Sequence, residues 1–313
     1  MDGFKNLYAG KLLRDEMKKY PTTTVALFIL QIIPLYVRKF LFTNLALLVY
    51  YLLPRRRRVA VDNLRRAFPE KSVAEIFRIV KGVYRNFGIL AAEFVDIPRL
   101  NVNRVNSLME IKGMENYEKA RAKNRGVILM TAHFGNWELL ATAFAIISEP
   151  ITVLYRTLDN PLLDNLVYWV RASTGNTLMH ANHAMRSILR SLRDKRNVGL
   201  LIDQNWSRQE GCFVEFFNRP ACTSSGLAFL ALHEDVPVLP AYLIRKDDGK
   251  YIMQIGAEFE TVKSGDDEHD IVTNTQRYTK DTEEIVRMYP EQWFWVHKRW
   301  KTQPLPLRNE NRD

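Results

Sequence analysis

The chain has 313 residues and a formal net charge of +10, from 45 Lys and Arg against 35 Asp and Glu. Apolar residues make up 47% of it, which is enough for a sizeable core and excludes a disordered tail, a collagen-like fibre and a coiled coil. The charge is concentrated, because residues 1–66 contain 13 Lys or Arg and only four acidic residues. A nucleic-acid-binding protein would spread basic residues over its folded domain, so we expect a membrane surface and no nucleic acid as partner.

The basic N-terminal part is also the most hydrophobic part of the chain. Two apolar runs, at 25–37 and 40–54, are separated by Arg38 and Lys39. Pro34 is expected to interrupt any helix in the first run. Neither run reaches the roughly 18–20 residues that cross a bilayer. A clean single span is therefore not the first expectation.

Three interpretations of this segment stay open. The preferred one is a set of interfacial or re-entrant helices, with Arg55 to Arg58 beside anionic headgroups. The second is one tilted span in which Arg38 and Lys39 extend to the headgroups, and the third is a buried helical hairpin of a soluble protein. We predict that residues 1–58 anchor the chain at a membrane and that residues 59–313 form the main domain.

Helical spacing of apolar residues dominates residues 59–93. Ser72 and Glu75 have the spacing of a capping box at the start of the second helix in this stretch. A short strand, a turn at Gly113 and a further helix are expected next.

Strands and helices then alternate with short connections. Apolar runs of strand length lie at 126–134, 151–156, 198–204 and 236–245. This alternation predicts an α/β fold with a mostly parallel or mixed central sheet flanked by helices. The last part of the chain predicts two antiparallel strands, a helix and an aromatic stretch, at 250–256, 257–262, 271–288 and 291–300.

Polar side chains follow three of the predicted strands. Ligands of open α/β sheets bind at the carboxyl ends of the strands, so these positions are candidate site residues. They are His133 with Glu138, Tyr155 with Arg156, and Asp203 with Gln204.

His133 and Glu138 can meet only in one local geometry. Five residues apart on a continuous helix, their side chains would diverge by about 140°. They can approach if His133 lies on a turn and Glu138 on the first turn of the next helix, and Gly135 permits that sharp turn. The carboxylate would then bond one ring nitrogen while the other acts as a general base. The alternative is a hydrogen-bonded structural histidine beside a helix N-terminus that favours the Glu.

Other chemistries have little support in the sequence. GxSxG, Walker A and GxGxxG motifs are absent, and neither cysteine has an evident histidine partner. His133, His180, His183 and Asp203 could be imagined as metal ligands, but their spacing is not that of HExxH. We therefore expect no metal and no cofactor.

The segment GVILMTAHFGNWELL resembles the first motif of the lysophospholipid acyltransferase superfamily, His-x4-Asp/Glu, and its Glu form is similar to the lipid A late acyltransferases, the lauroyl and myristoyl transferases. The resemblance extends from about residue 24 to 301. Six further blocks agree in chain order, at 54–70, 155–167, 200–204, 211–231, 236–242 and 289–301. The resemblance implies that residues 59–313 form an acyltransferase domain.

This resemblance implies transfer of a fatty acyl group from acyl carrier protein to a hydroxyl of a lipid A precursor, at the cytoplasmic face of the bacterial inner membrane. It implies that His133 deprotonates the acceptor and Glu138 orients His133, with direct attack on the thioester. Asp203 could share the role of Glu138, because in some relatives a later carboxylate approaches the histidine. Backbone N–H groups near Gly135 or the Arg156 guanidinium would stabilise the oxyanion.

The same resemblance suggests residues that bind substrate. Arg156 could also bind an acceptor phosphate, for which a planar guanidinium is well suited, and Asn160 and Arg171 would line the acceptor site. The aromatic stretch 291–300 would form an acyl-pocket wall or a membrane edge, or else close the core, and the phenylalanines of 213–217 would line an acyl channel or belong to the core. Another glycolipid or phospholipid acceptor, a thioesterase and an inactive scaffold are the competing functions.

Overall fold

The computed structural model describes residues 21–180 and 184–305. The predictions for residues 1–20, His183 and residues 306–313 lie outside the described residues. The helices are α1 (Pro21–Ile32), α2 (Leu35–Leu52), α3 (Pro54–Ala67), α4 (Val73–Phe94), α5 (Val102–Leu108), α6 (Met114–Ala122), α7 (Trp137–Ile147), α8 (Pro161–Ala172), α9 (Ala184–Arg193), α10 (Gly226–Glu234) and α11 (Asp267–Met288), with short 3-10 turns at Ile97–Arg99 and Pro290–Gln292.

Seven strands form one sheet, which confirms the predicted α/β fold. The described residues form nine strands, seven in this sheet and two in a hairpin: β1 (Met109–Lys112), β2 (Ile128–Thr131), β3 (Ile151–Tyr155), β4 (Thr177–His180), β5 (Asn197–Leu201), β6 (Gly211–Glu215), β7 (Pro220–Ser224), β8 (Val238–Arg245) and β9 (Tyr251–Ile255). The order in the large sheet is β1-β9-β8-β2-β5-β3-β4, and every neighbouring pair is parallel except β8 with β9. β6 and β7 form a separate antiparallel hairpin.

The core lies on both faces of this sheet. Every residue of β2 is buried, because helices cover the two sides that its alternating side chains face. Ile128 and Met130 pack in the same apolar cluster as residues of α3, α4 and α10, whereas Leu129 packs with residues of α6 and α7. β2 is therefore the buried centre of the fold, and its packing fixes the position of the residues that follow it at the edge of the sheet.

Several local predictions are confirmed. Ser72 and Glu75 form the reciprocal capping box of α4, and the helical conformation is interrupted between α1 and α2 at Pro34. Gly113 has the left-handed backbone conformation of the predicted turn, with φ of 78°. Each of these features depends on residues a few positions apart, which is why the sequence pattern was sufficient.

The predicted strand at 257–262 is wrong. The backbone N–H and carbonyl of Val262 bond to the side chain of Asn274 at 2.9 and 3.0 Å, so a side chain on α11 replaces a strand partner. β9 instead pairs antiparallel with β8 and parallel with β1. α11 also begins before the predicted helix, at Asp267, where Asp266 caps it by accepting a hydrogen bond from the His269 N–H at 3.1 Å.

Arg38 and Lys39, which divide the apolar N-terminal segment, are turned toward the protein. Arg38 is 2% exposed and forms an ion pair with Asp96, just beyond α4. Lys39 pairs with Glu93 near the end of α4, with a nitrogen–oxygen distance of 2.8 Å. By length and composition α2 could cross a membrane, and its outward face is apolar. The domain boundary predicted at residue 58 lies inside α3.

Candidate active site

A sharp turn between β2 and α7 carries His133. Gly135 in this turn has φ of 59°, and a Cβ atom there would lie 1.8 Å from the carbonyl oxygen of Leu243. Only glycine fits that close approach, and the sharp turn lies where the sequence predicted it. The Gly135 N–H donates to the carbonyl of Gln292 at 2.8 Å, so this backbone donor is not available to a reacting oxygen.

Asp203 is the carboxylate that bonds the ring of His133. β2 and β5 are parallel neighbours in which Thr131 lies opposite Leu201, so His133 and Asp203 each follow two residues later at the same edge. The distance between His133 Nδ1 and Asp203 Oδ1 is 2.8 Å, and the His133 backbone N–H donates to Oδ2 at 3.0 Å. Trp293 Nε1 donates to the same Oδ2 at 2.7 Å. The carboxylate is thus buried with donors on both oxygens.

These bonds define the tautomer of His133. A carboxylate accepts, so Nδ1 carries the proton and Nε2 presents its lone pair. The amide nitrogen of Gln204 lies 3.3 Å from Nε2 and donates to it. The sequence placed Gln204 at a strand end but indicated no role for it. The arrangement leaves Nε2 as the nitrogen of the ring that can accept a proton.

Charge and burial act against each other at this pair. Burial alone would lower the pKa of His133, but the charge of Asp203 and the hydrogen bond to it prevail, and the pKa is raised, with a further contribution from the charge of Glu138. Burial alone would raise the pKa of Asp203, but His133 and Trp293 hold it below its ordinary value. The carboxylate therefore stays ionised and stabilises a protonated ring.

Glu138 bonds Arg171 instead of the histidine ring. Its carboxylate accepts from Arg171 Nε at 2.8 Å and from the terminal guanidinium nitrogen at 2.5 Å, which ties the start of α7 to the end of α8. The hydrogen bond expected between Glu138 and His133 is thus replaced by an ion pair. Glu138 also accepts from Trp137 Nε1 at 3.0 Å, and the Trp137 ring centroid lies 5.3 Å from that of His133. Glu138 therefore acts on His133 indirectly, by its charge and by holding the Trp137 indole beside the ring.

The other predicted substrate residues make no hydrogen bond to the His133–Asp203 pair in the part of the chain that the structure describes. Arg156 is exposed just after β3, and within the described ranges its side chain makes no hydrogen bond or ion pair. Asn160 caps α8, since its oxygen accepts from the N–H groups of Leu162 and Leu163 at 2.9 and 3.2 Å. Arg171 is occupied by Glu138.

The C-terminal aromatic stretch closes the core and also borders a cavity. Trp293 and Trp295 are buried, and Phe216 packs against Trp293 with ring centroids 5.4 Å apart, so the core interpretation holds for these rings. Phe294 points the other way, 6.3 Å from the ring of His133. The aromatic stretch therefore contributes side chains both to the core and to the wall of a cavity.

The cavity has a volume of about 460 Å3 and a mostly apolar wall. It lies between α2, α4 and the C-terminal stretch, and its lining residues are Phe42, Leu45, Ala46, Val49, Arg56, Val83, Tyr84, Phe87, Gly88, Ala91, Phe294, Val296 and His297. His297 accepts from the Asn205 N–H at 2.8 Å, and burial lowers its pKa, so it lines the cavity as a neutral ring. Phe294 in the cavity wall lies 6.3 Å from the His133 ring, and an apolar cavity in this position suits an extended apolar ligand.

A mostly parallel sheet with a histidine bonded to a buried aspartate at the carboxyl ends of its strands is the architecture of an α/β enzyme. Residues 19–302 match the model of the family described as bacterial lipid A biosynthesis acyltransferase. The chain belongs to this family, and it is an acyltransferase.

Curated relatives agree over most of their length. The chain is similar to the lipid A biosynthesis lauroyltransferase of Escherichia coli, with 29% identity over 251 residues that cover 80% of each chain. It is 26% identical to the palmitoleoyltransferase of lipid A biosynthesis in the same organism, over 85% of each chain. The lipid A biosynthesis myristoyltransferase of E. coli is 25% identical over 79% of this chain and 75% of its own.

Proposed function

We propose that the chain transfers a fatty acyl group from acyl carrier protein to a hydroxyl of a lipid A precursor. The observation that carries the proposal is the His133–Asp203 pair, whose Nε2 lone pair can accept a proton and whose ring lies 6.3 Å from Phe294 in the wall of an apolar cavity. Membership of the lipid A biosynthesis acyltransferase family supports the acceptor, and the names of the relatives describe long-chain acyl groups.

In the proposed mechanism, His133 is the general base. Its Nε2 takes the proton of the acceptor hydroxyl, and the oxygen attacks the thioester carbonyl of the donor directly. The tetrahedral intermediate collapses, the carbon–sulfur bond breaks, and the proton on Nε2 passes to the leaving thiolate. Asp203 stabilises the protonated ring through Nδ1 in both steps.

Gln204 is the side chain best placed to assist the reacting oxygen. Its amide nitrogen lies 3.3 Å from Nε2, on the side where the acceptor must approach. When Nε2 receives a proton it no longer accepts from this amide, so the amide N–H becomes free to donate to the oxyanion. This assignment replaces the Gly135 N–H, which is already bonded to Gln292.

Glu138 supports this pair without touching the ring. Its ion pair with Arg171 ties α8 to α7, and its bond to Trp137 holds the indole against His133. The negative charge of Glu138 adds to the raised pKa of His133. Loss of Glu138 would therefore weaken the base and loosen the wall beside it.

The cavity beside Phe294 would hold the acyl chain. Its wall is formed mainly by apolar side chains of α2 and α4, and burial of methylene groups there gains about 0.8 kcal/mol each. Chain-length preference would then depend on where that wall ends.

The exposed apolar face of α1 and α2 would lie in the membrane. Phe40 and Tyr36 are 68% and 76% exposed, and a patch of this kind on a soluble monomer marks an interaction site. Arg55, Arg56 and Arg58 at the start of α3 are exposed beside it and suit anionic headgroups. We infer that the cavity lies close to a lipid surface, and we assign that surface to the cytoplasmic face of the inner membrane.

Exposed cations suit the two anionic substrates. Acyl carrier protein is acidic and the acceptor carries phosphates, so the unpaired guanidinium of Arg156 is the candidate ligand at the strand ends.

The test supplies purified full-length protein with acyl carrier proteins of defined chain length and a tetra-acylated disaccharide precursor. We expect a new ester by mass spectrometry, lost in His133→Ala and kept in His269→Ala, which removes an exposed histidine elsewhere. Free fatty acid formed at the same rate without acceptor would identify a thioesterase. Transfer at a near wild-type rate by His133→Ala would contradict the proposed mechanism.

A further inference from the structure

A buried carboxylate on α4 lies between side chains of four other elements of the fold. Glu93 is 7% exposed and accepts from Asn136 Nδ2 at 2.8 Å and from the hydroxyl of Tyr251. Lys39 of α2 lies 2.8 Å from it, and the guanidinium of Arg245 lies 3.5 Å away. The reaction proposed above gives none of these groups a role.

Asn136 links this carboxylate to the turn that carries His133. Its side chain is fully buried, and its oxygen caps α7 by accepting from the Leu139 N–H at 3.1 Å. Its amide nitrogen donates to Glu93, so the side chain is held at both ends. Asn86, two helical turns before Glu93 on α4, donates to the Gly135 carbonyl at 3.3 Å. α4 thus holds two successive residues of the turn.

Lys39 brings α2 into the same network. A partly buried cation on a mostly apolar helix is costly unless an opposite charge compensates it, and Glu93 supplies that charge. Without Lys39, the cation nearest to Glu93 would be Arg245, at 3.5 Å. The position of the carboxylate that holds Asn136 would then change. The neighbouring cation, Arg38, pairs with Asp96 and with the Ala92 carbonyl and reaches no residue of the turn.

We propose that Glu93 is a positioning residue, and that Lys39, Glu93 and Asn136 form a link through which the placement of α2 sets the geometry of the His133 turn. The link rests on the proposed function of His133, since positioning matters to the rate only if the ring is the base. Displacement of a reacting group by about 1 Å can cost roughly 100-fold in rate. A helix with an exposed apolar face is thereby connected to the catalytic turn through one buried carboxylate.

The experiment compares Lys39→Met with Arg38→Met in the full-length protein, because the two cations are adjacent and only one joins the link. The readouts are kcat and KM for acyl transfer, the melting temperature, and hydrogen–deuterium exchange of the peptide spanning residues 132–140. For Lys39→Met we expect kcat to fall about 10-fold to 100-fold with KM within about two-fold, and the turn to exchange faster. Lys39→Arg should restore both.

Arg38→Met should lower the melting temperature but leave kcat and exchange of the turn unchanged. Asn136→Ser is a second variant, because serine still caps α7 but lacks the amide that reaches Glu93. We expect it to behave like Lys39→Met.

Equal effects of Lys39→Met and Arg38→Met on the turn, or normal exchange in Asn136→Ser, would overturn the link. Exchange needs no substrate, so a wild-type protein without transfer activity would contradict the proposed function while the exchange comparison still decides on the link.

Discussion

The strand-end site and the N-terminal helices depart from the usual burial of side chains in two different ways: the site buries a charged group, and the helices expose apolar ones. At the site a carboxylate, that of Asp203, is buried, and three donors from His133 and Trp293 surround it. On α2, Phe40 and Leu48 are 68% and 50% exposed. Buried charge is tolerable where hydrogen bonds compensate it, whereas exposed apolar surface indicates another apolar phase. Substitutions in the two regions should therefore separate chemistry from membrane binding.

The largest expected effect is that of Asp203→Asn. The amide cannot stabilise a protonated His133 by charge, so kcat should fall by about 10²–10⁴-fold while the protein stays in the membrane fraction. Initial rates of acyl transfer and a sedimentation assay on the same preparation measure both. Glu138→Gln should lower kcat less than Asp203→Asn does, because the Glu138 carboxylate bonds Arg171 and not the His133 ring. A greater loss in Glu138→Gln would assign the main carboxylate role to Glu138.

The pH dependence sharpens the assignment of this pair. His133 must be neutral to accept a proton, so the acidic limb of the rate profile should lie above the ordinary histidine pKa of about 6.5. In Asp203→Asn the charge is lost while burial remains, and the limb should move to lower pH. Because folding raises the pKa of His133, its protonation stabilises the folded state fully at pH values below the pKa of the unfolded state. This contribution is lost as the pH rises through the pKa of the folded state. An unchanged acidic limb in Asp203→Asn would contradict the pairing.

The packing of the N-terminal helices on the domain can be broken at Gly88. A Cβ atom there would lie 2.7 Å from the Phe42 carbonyl oxygen and from the Thr43 Cα, both in the backbone of α2. Gly88→Ala should therefore force α2 away from α4 and lower the free energy of unfolding by about 1–3 kcal/mol. Thermal unfolding in detergent measures it. Gly226→Ala is the control, because its Cβ would lie 3.4 Å from the nearest atom, and an equal loss there would discount the packing argument.

The smallest expected effect on stability is that of polar substitutions on α2. Phe40→Ser with Leu48→Ser removes exposed side chains, so the free energy of unfolding should change by about 0.5 kcal/mol or less. The fraction bound to vesicles containing anionic lipid should nevertheless fall. Val272→Ser, at an exposed position on α11, should change neither. Unchanged vesicle binding by the double variant would contradict the membrane interpretation of this face.

Alternating apolar runs and helical periodicity predicted most of the fold. β2, β3, β5 and β8 lie where expected, as do the helices α7 and α8 after the first two of them, because each pattern is local and its burial is strong. β4 and the β6–β7 hairpin were not predicted, since short strands with mixed burial lack a clear period. At 257–262 the pattern was typical of a strand, but Asn274 supplied the hydrogen bonds instead.

The sequence predicted which residues belong to the site better than it predicted their hydrogen-bond partners. Strand-end positions indicated His133 and Asp203, which lie 70 residues apart in the chain. The sequence suggested Glu138 as the ring's partner because it is five residues away, yet α7 turns it toward Arg171. Trp293 lies 90 residues from Asp203 along the chain, and no local pattern connects them.

The amino-acid sequence alone determined the α/β class, the family resemblance, the glycine turn after β2 and the helix caps, because these depend on residues close together in the chain. Which carboxylate faces His133, and whether Arg38 and Lys39 face lipid or protein, was settled by the packing of distant elements. The order of strands β2 and β5 places Asp203 beside the ring, and the contact of α2 with α4 turns both cations inward. Periodicity reports which face of an element is buried, whereas partners across a sheet or between helices are set by three-dimensional distance.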